Sequence, residues 1–283
     1  MNLLLCDVKR ELGSRFGFMF VEALIALFFF LIGLEIKAGL KDIKSAVVPV
    51  IAALGGMLVP AFMYLAINPG SNLWAASMPT DIALALGVLS MLGKRVNPNV
   101  RIFLLTLAIA DDLFSLIVLA IFYRNDLDPQ HAFSTLVAAA IGLILPLRPH
   151  LLTKTIKVLS PISTYFIVPT IILVNIPWHL KLSAFTSSIA VSIIIARSIG
   201  KIIGITLFAA IAGKLGGHVN ISMKEIAGVG TLAGMGLTVA LVIAKIAATN
   251  DAELNQVRLG LFISAMISGI AGYIWLRRTP AKQ

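Results

Sequence analysis

Charged residues are scarce in this chain, and cysteine is almost absent. Of its 283 residues, 13% are charged and 8% are aromatic, while four are histidine and one is cysteine. A single cysteine excludes an intramolecular disulfide, and the sequence has no Cys-x-x-Cys or His/Cys cluster that would indicate a metal centre. A soluble domain carries about 25% charged residues. The sequence also lacks a P-loop, a dinucleotide fingerprint and a nucleophile–base arrangement, so it predicts neither a cofactor nor an enzyme.

Apolar residues fill most of the chain. They make up 59% of it, and the mean hydropathy is +0.97. Apolar runs of about 20 residues, the length that crosses a bilayer as a helix, recur from end to end. We therefore predict an all-α polytopic membrane protein, a single transmembrane domain over residues 1–283 whose partner is the lipid bilayer. Its nine predicted spans are approximately 20–36, 46–67, 73–92, 99–123, 131–147, 160–177, 184–212, 224–247 and 256–276.

The net charge of +10 indicates orientation rather than a nucleic-acid partner. Most of the basic residues fall in the loops between predicted spans, as they do in membrane proteins whose cytoplasmic loops are positive. With the N-terminus outside, the predicted inner loops hold about twice as many Lys and Arg residues as the outer loops. The sequence therefore predicts an external N-terminus and a cytoplasmic C-terminus.

Two adjacent carboxylates, Asp111 and Asp112, lie inside the apolar segment AIADDLFSLI (108–117). A charge at mid-membrane costs about 2.5–3.5 kcal/mol, so such residues are functional candidates. Neighbouring helical side chains point about 100° apart, which directs one carboxylate toward an ion path and the other toward a buried cation. Burial and mutual repulsion favour protonated carboxylates, so a metal cation and a proton would compete for these oxygens.

Two cations, Arg197 and Lys201, also fall inside a predicted span, four residues apart and so on one helical face. One alternative to an ion path is that these cations only pair with the aspartates for structure.

A second alternative for the aspartate pair is an intramembrane aspartyl protease, which would also use two buried aspartates. Such enzymes carry the aspartates on different helices, whereas Asp111 and Asp112 are contiguous.

Two spans carry signals of interruption. In SMPTDIALALG (77–87), Pro79 removes a backbone hydrogen bond, so we expect the third helix to break near Thr80 and Asp81. The glycines of GVGTLAGMGLTVALV (228–242) allow the eighth span to unwind, although plain small-residue packing would explain them equally well. Half-helix ends inside a membrane need counter-charges, which a carboxylate supplies at N-terminal ends. Glu35 ends the first span, where a solvated interfacial carboxylate is one interpretation.

The segments FFFLIGLEIKAGL, PTDIALALGVLSMLGKRV, RIFLLTLAIADDLFSLIVLAIFY, IGKIIGITLF and GTLAGMGLTVALVIA together resemble the NhaA-type sodium–proton antiporter family. The resemblance implies an inverted-repeat fold, with repeats of approximately 46–124 and 184–277 and with the broken third and eighth spans crossing at mid-membrane.

The resemblance also implies residue roles. Asp112 would be the principal cation ligand, with Asp111 as its partner, and Asp111 could also pair with Lys201. Asp81, with Thr80, would compensate the helix ends at the crossing. Glu35 matches a position associated with pH response.

The implied activity is the exchange of cytoplasmic Na⁺ or Li⁺ for external protons, driven by the proton gradient across the bacterial inner membrane, for sodium and pH homeostasis. No cofactor is implied, and a homodimer is compatible with the pattern. The chain departs from the family by having about nine spans rather than about twelve, and Arg197 is an extra cation. A non-transporting remnant of the family is therefore the alternative.

Overall fold

The computed structural model describes residues 15–39, 43–122, 131–175 and 187–279. Regular structure in these ranges is helical, without a strand. The helices are α1 (Arg15–Gly39), α2 (Ile43–Ile67), α3 (Ile82–Met91), α4 (Pro98–Phe122), α5 (His131–Ile144), α6 (Pro149–Ile162), α7 (Val168–Asn175), α8 (Ser188–Ile195), α9 (Lys201–Lys214), α10 (Met223–Ala233), α11 (Thr238–Ala247) and α12 (Asp251–Arg278). Short 3₁₀ helices cover Asn72–Ser77 and Gly93–Arg95, and π-helical turns at Ser163–Ile167 and Ala196–Gly200 join α6 to α7 and α8 to α9.

Within the described ranges, six helices are long and apolar enough to cross a membrane, and a seventh span results if the bent pair α10–α11 counts as one. They coincide with the predicted second to fourth and sixth to ninth spans. The prediction of an all-α polytopic membrane protein is confirmed. Helices α1 and α5 occupy the predicted first and fifth spans, and the total of nine stays a prediction. Much of the predicted loop sequence, at 40–42, 123–130 and 176–186, lies outside the described residues.

The sixth span begins earlier than the sequence predicted, at Pro149 rather than near residue 160. Proline is favoured in the first turn of a helix because its missing N–H has no partner there anyway. Lys154 and Lys157, which the charge pattern assigned to a loop, instead lie exposed on α6. Pro161 then removes a backbone donor, and the π-helical turn begins two residues later.

The chain divides into two compact units. One unit contains α1 and α5–α7, and the other contains α2–α4 and α8–α12. In the first unit, α1 packs on α5 without space for a side chain, because a Cβ on Gly33 would overlap the carbonyl oxygen of Ala139. Lys37 also donates a hydrogen bond to the carbonyl of Leu145. The single-domain assignment and the repeat boundaries stay predictions.

The second unit runs twice through the order helix, broken span, helix. The first series is α2, the broken span Asn72–Met91 and α4, and the second is α8–α9, α10–α11 and α12. Helices α2 and α9 meet backbone to backbone, since a Cβ on Gly55 would overlap the Gly204 carbonyl and a Cβ on Gly204 would overlap the Gly55 carbonyl. Small residues allow such close approach where lipid supplies little hydrophobic driving force between helices.

Both predicted interruptions are present, and they touch. The third span loses helical structure between the 3₁₀ helix ending at Ser77 and the start of α3 at Ile82. The eighth bends by 50° between α10 and α11. The Asp81 backbone N–H donates to the carbonyl of Met235 at 2.9 Å. The two non-helical segments therefore meet at a crossing, as the family resemblance implied.

Candidate functional site

One carboxylate serves two helix N-termini at the crossing. Asp81 is the N-cap of α3, with extended backbone angles (φ −104°, ψ 106°), and its Oδ1 accepts from the Leu84 N–H at 3.3 Å. Its Oδ2 accepts from the Thr238 hydroxyl at 2.9 Å and from the Thr238 N–H, at the start of α11, at 3.4 Å. Aspartate is a preferred N-cap, and its negative charge is favourable at the positive end of a helix. The buried Asp81 thus caps the half-helix that follows each break.

The opposite ends meet a guanidinium. The Arg197 side chain, which is fully buried, donates to the carbonyls of Ala76 at 2.9 Å, Pro79 at 2.7 Å and Gly234 at 3.3 Å. Ala76 is near the end of the 3₁₀ helix, Pro79 is in the third-span break, and Gly234 is the C-cap of α10. The sequence marked Arg197 as an extra cation, and this set of partners was not predicted.

Lys201 contacts both the break and the aspartate pair. Its Nζ donates to the Thr80 hydroxyl at 2.7 Å and lies 3.2 Å from Asp111 Oδ2. The Lys201 and Asp111 side chains are each only 1% exposed, so water screens this ion pair little. The structure therefore brings together three residues that the sequence singled out, from the third, fourth and seventh predicted spans.

The aspartates lie on α4, and both are buried, with Asp111 1% exposed and Asp112 4% exposed. Ser115, one turn after Asp111 and so on the same face, is buried as well. Within the described part of the chain, Asp111 Oδ1 and Ser115 Oγ have no hydrogen-bond partner. Buried polar atoms are nearly always satisfied, so these oxygens are candidates to hold a cation or a proton. Hard cations prefer oxygen ligands.

Glu35, by contrast, is half-buried on α1, in the other unit. Its role in pH response stays a prediction, as do the roles of Asp111, Asp112, Asp81, Thr80 and Lys201. Sequence reasoning missed Thr238, which lies two residues after Gly236 and is the first residue of α11. A hydroxyl at the first position after an expected helix break was the signal that could have identified it.

Comparison with known proteins matches the sequence of this chain to a transporter family. A sequence model of the family described as Na⁺/H⁺ antiporter 1 matches residues 7–151 and 131–276. The chain belongs to this family. The two matched stretches overlap at 131–151.

Curated relatives resemble the chain over most of its length. It is 35% identical to the Na⁺/H⁺ antiporter NhaA of Shigella dysenteriae serotype 1, in an alignment that covers 90% of this chain and 82% of the relative. It is 34% identical to the NhaA proteins of Salmonella arizonae and Escherichia coli O1:K1, with the same coverage of both chains. These relatives are transporters by name, and the membrane-spanning helices of this family member fit that class.

Proposed function

We propose that the chain is a secondary antiporter that exchanges Na⁺ or Li⁺ for protons, and not an enzyme. The observation that carries the proposal is the buried ion pair between Lys201 and Asp111, next to Asp112 and at the crossing of two broken helices. Its proposed direction is cytoplasmic sodium outward and external protons inward, across a bacterial inner membrane, for sodium and pH homeostasis. No cofactor takes part.

Asp112 is the proposed principal ligand of the transported cation, and Asp111 its partner. A cation approaching Asp111 competes with the Lys201 ammonium for the same carboxylate. A proton on either aspartate removes the negative charge that attracts the cation, because protonation neutralises a carboxylate. Sodium and protons then exclude each other from one set of oxygens, which is the requirement for exchange rather than for co-transport.

Asp81 and Thr80 have a different proposed role. Asp81 accepts hydrogen bonds from an N–H group of each half-helix and from the Thr238 hydroxyl. Its proposed role is to stabilise the crossing, and it does not bind the transported ion. Thr80 receives a hydrogen bond from Lys201. It therefore links the break to the ion pair.

The test is sodium-dependent dissipation of a proton gradient in inside-out vesicles from a host that lacks its own antiporters. Wild type, Asp112→Asn and the matched control Asp251→Asn, at an exposed site at the start of α12, are compared at equal membrane content. We expect exchange in wild type and in the control, and none in Asp112→Asn. Inserted wild-type protein that shows no response at any pH would instead identify a non-transporting remnant of the family.

The proposal extends to topology and assembly. We propose an external N-terminus and a cytoplasmic C-terminus, supported by the distribution of Lys and Arg. Since Cys6 is the sole cysteine, a membrane-impermeant maleimide added to intact cells should label this protein if the N-terminus is outside.

We also propose a homodimer. Light scattering of the detergent-solubilised protein measures its mass, and the mass of one chain would contradict the dimer.

A further inference from the structure

We propose that Arg197 is a positioning residue for the exchange: its guanidinium neutralises the carbonyl ends of both broken spans, which leaves Lys201 available to the ion-binding aspartates. The inference rests on the proposed function for its transport consequences. Its structural consequence, fixing the crossing, is independent of transport and is measured separately below.

The crossing has four half-helix ends, and each carries a partial charge of about half an elementary charge in the helix-dipole description. The two N-terminal ends, at Leu84 and Thr238, both donate to Asp81. The two carbonyl ends, represented by Ala76 and Gly234, both accept from Arg197. Asp81 thus balances the positive partial charges of the two N-terminal ends, and Arg197 balances the negative partial charges of the two carbonyl ends. Within the described residues, the crossing is therefore neutral without a contribution from Lys201.

The shape of the guanidinium suits this task. It is planar and presents five N–H donors in a fixed fork, whereas a lysine ammonium is a compact point charge. Arg197 uses Nε, Nη1 and Nη2 on three different carbonyls. Gly236 provides the room, because a Cβ at that position would overlap both Arg197 Nη2 and the Pro79 carbonyl oxygen. Arg197 also lies in the π-helical turn Ala196–Gly200, and such turns are frequent at functional sites.

Lys201 makes a different set of contacts. Its ammonium donates to the side-chain oxygens of Thr80 and Asp111, and no carbonyl at the crossing accepts from it among the described hydrogen bonds. With the crossing balanced by Arg197 and Asp81, the remaining charges are Lys201, Asp111 and Asp112. With both carboxylates ionised, their sum is one negative charge, which one monovalent cation or one proton neutralises.

The Arg197 charge also sets the direction of an effect on sodium binding. In Arg197→Gln the carbonyls of Ala76, Pro79 and Gly234 lose their cation. Lys201, which already donates to Thr80 next to Pro79, is then drawn towards these carbonyls. A Lys201 drawn away from Asp111 no longer competes with sodium for that carboxylate, so the apparent KM for sodium falls.

The experiment compares Arg197→Lys with Arg197→Gln, both purified in detergent and assayed in vesicles. We expect Arg197→Gln to lower the Tm and to lower the apparent KM for sodium about tenfold, which corresponds to about 1.4 kcal/mol of binding free energy. Arg197→Lys should keep an apparent KM close to that of wild type, because it retains the charge at the crossing. Equal apparent KM values in the two variants would overturn the proposal.

A glycine pair provides a control that retains every charge. Gly236→Ala should lower the Tm by displacing the guanidinium and the Pro79 carbonyl that it binds, whereas Gly87→Ala, in α3 of the third span with nothing within 4 Å of its Cβ, should not. Equal Tm values for these two variants would contradict the inference even if Arg197→Gln fails to insert. If wild type shows no exchange, the proposed function fails, and the Tm values of the four variants still decide whether Arg197 fixes the crossing.

Discussion

Removing the Lys201 ammonium tests the buried ion pair most directly. In Lys201→Met, the Asp111 carboxylate would keep its buried position and lose the cation at 3.2 Å. Breaking a buried pair by removing one partner costs about 3–5 kcal/mol, because the other charge is left uncompensated. In a protein of this size each kcal/mol shifts the Tm by roughly 2–4 °C, so a fall of roughly 10 °C is expected at alkaline pH.

The loss should depend on pH in a defined direction. Protonation of Asp111 would neutralise the uncompensated carboxylate, so the Tm difference between Lys201→Met and wild type should shrink as the pH falls. The double variant Asp111→Asn/Lys201→Met removes both charges together and should recover most of the stability, since replacing a whole buried pair is often nearly neutral. The assay is thermal unfolding in detergent, followed by tryptophan fluorescence over a series of pH values.

Lys214→Met, an exposed lysine at the end of the same α9 helix, is the matched control. Its cost should not exceed about 1 kcal/mol, the usual contribution of a cation near a helix C-terminus. An unchanged Tm of Lys201→Met at alkaline pH would refute the reasoning. It would mean that Asp111 carries no charge in the resting protein or that Arg197 alone compensates it.

Two further predictions concern ion competition and helix packing. The apparent affinity for sodium should fall as pH drops, because protons and sodium compete for Asp111 and Asp112. Isothermal titration that gives the same sodium affinity at acid and alkaline pH would contradict this. Gly204→Val should lower the Tm by several degrees, because its side chain would enter the Gly55 backbone and overpacking typically costs about 1–3 kcal/mol. Gly213→Val, where a Cβ meets nothing within 4 Å, is the matched control for unfolding in detergent.

Local chemistry was enough to predict the break in the third span, whereas the glycines of the eighth span left plain helix packing as an equal alternative. Pro79 cannot donate a backbone hydrogen bond, and the following Asp81 is a preferred N-cap, so the sequence specifies both an interruption and the start of the next helix. The long apolar runs located the seven spans for the same reason, since length and hydropathy are properties of a segment alone. The early start of the sixth span at Pro149 was missed because α6 carries exposed lysines that resemble a loop.

The partners of the two cations could not be read from the sequence. Arg197 and Lys201 are four residues apart, and helical spacing alone places them on one face. The π-helical turn and the position of the crossing decide that one reaches backbone carbonyls while the other reaches Asp111. These distances depend on how the third, fourth, seventh and eighth spans pack, which involves residues between 37 and 121 positions apart in the chain. The same applies to Thr238, whose partner is Asp81.

The bond from Lys201 to Thr80 suggests how ion binding could act on the helices. One ammonium holds both the third-span break and the Asp111 carboxylate, so a cation that displaces it from Asp111 also changes its hold on Thr80. Arg197 and Asp81 keep the four half-helix ends together meanwhile, because their partners are backbone groups and the Thr238 hydroxyl, none of which carries a transported charge. The proposed exchange therefore uses two separate cations on the seventh span. Arg197 preserves the crossing, and Lys201 changes its contact with Thr80 when an ion binds to the aspartates.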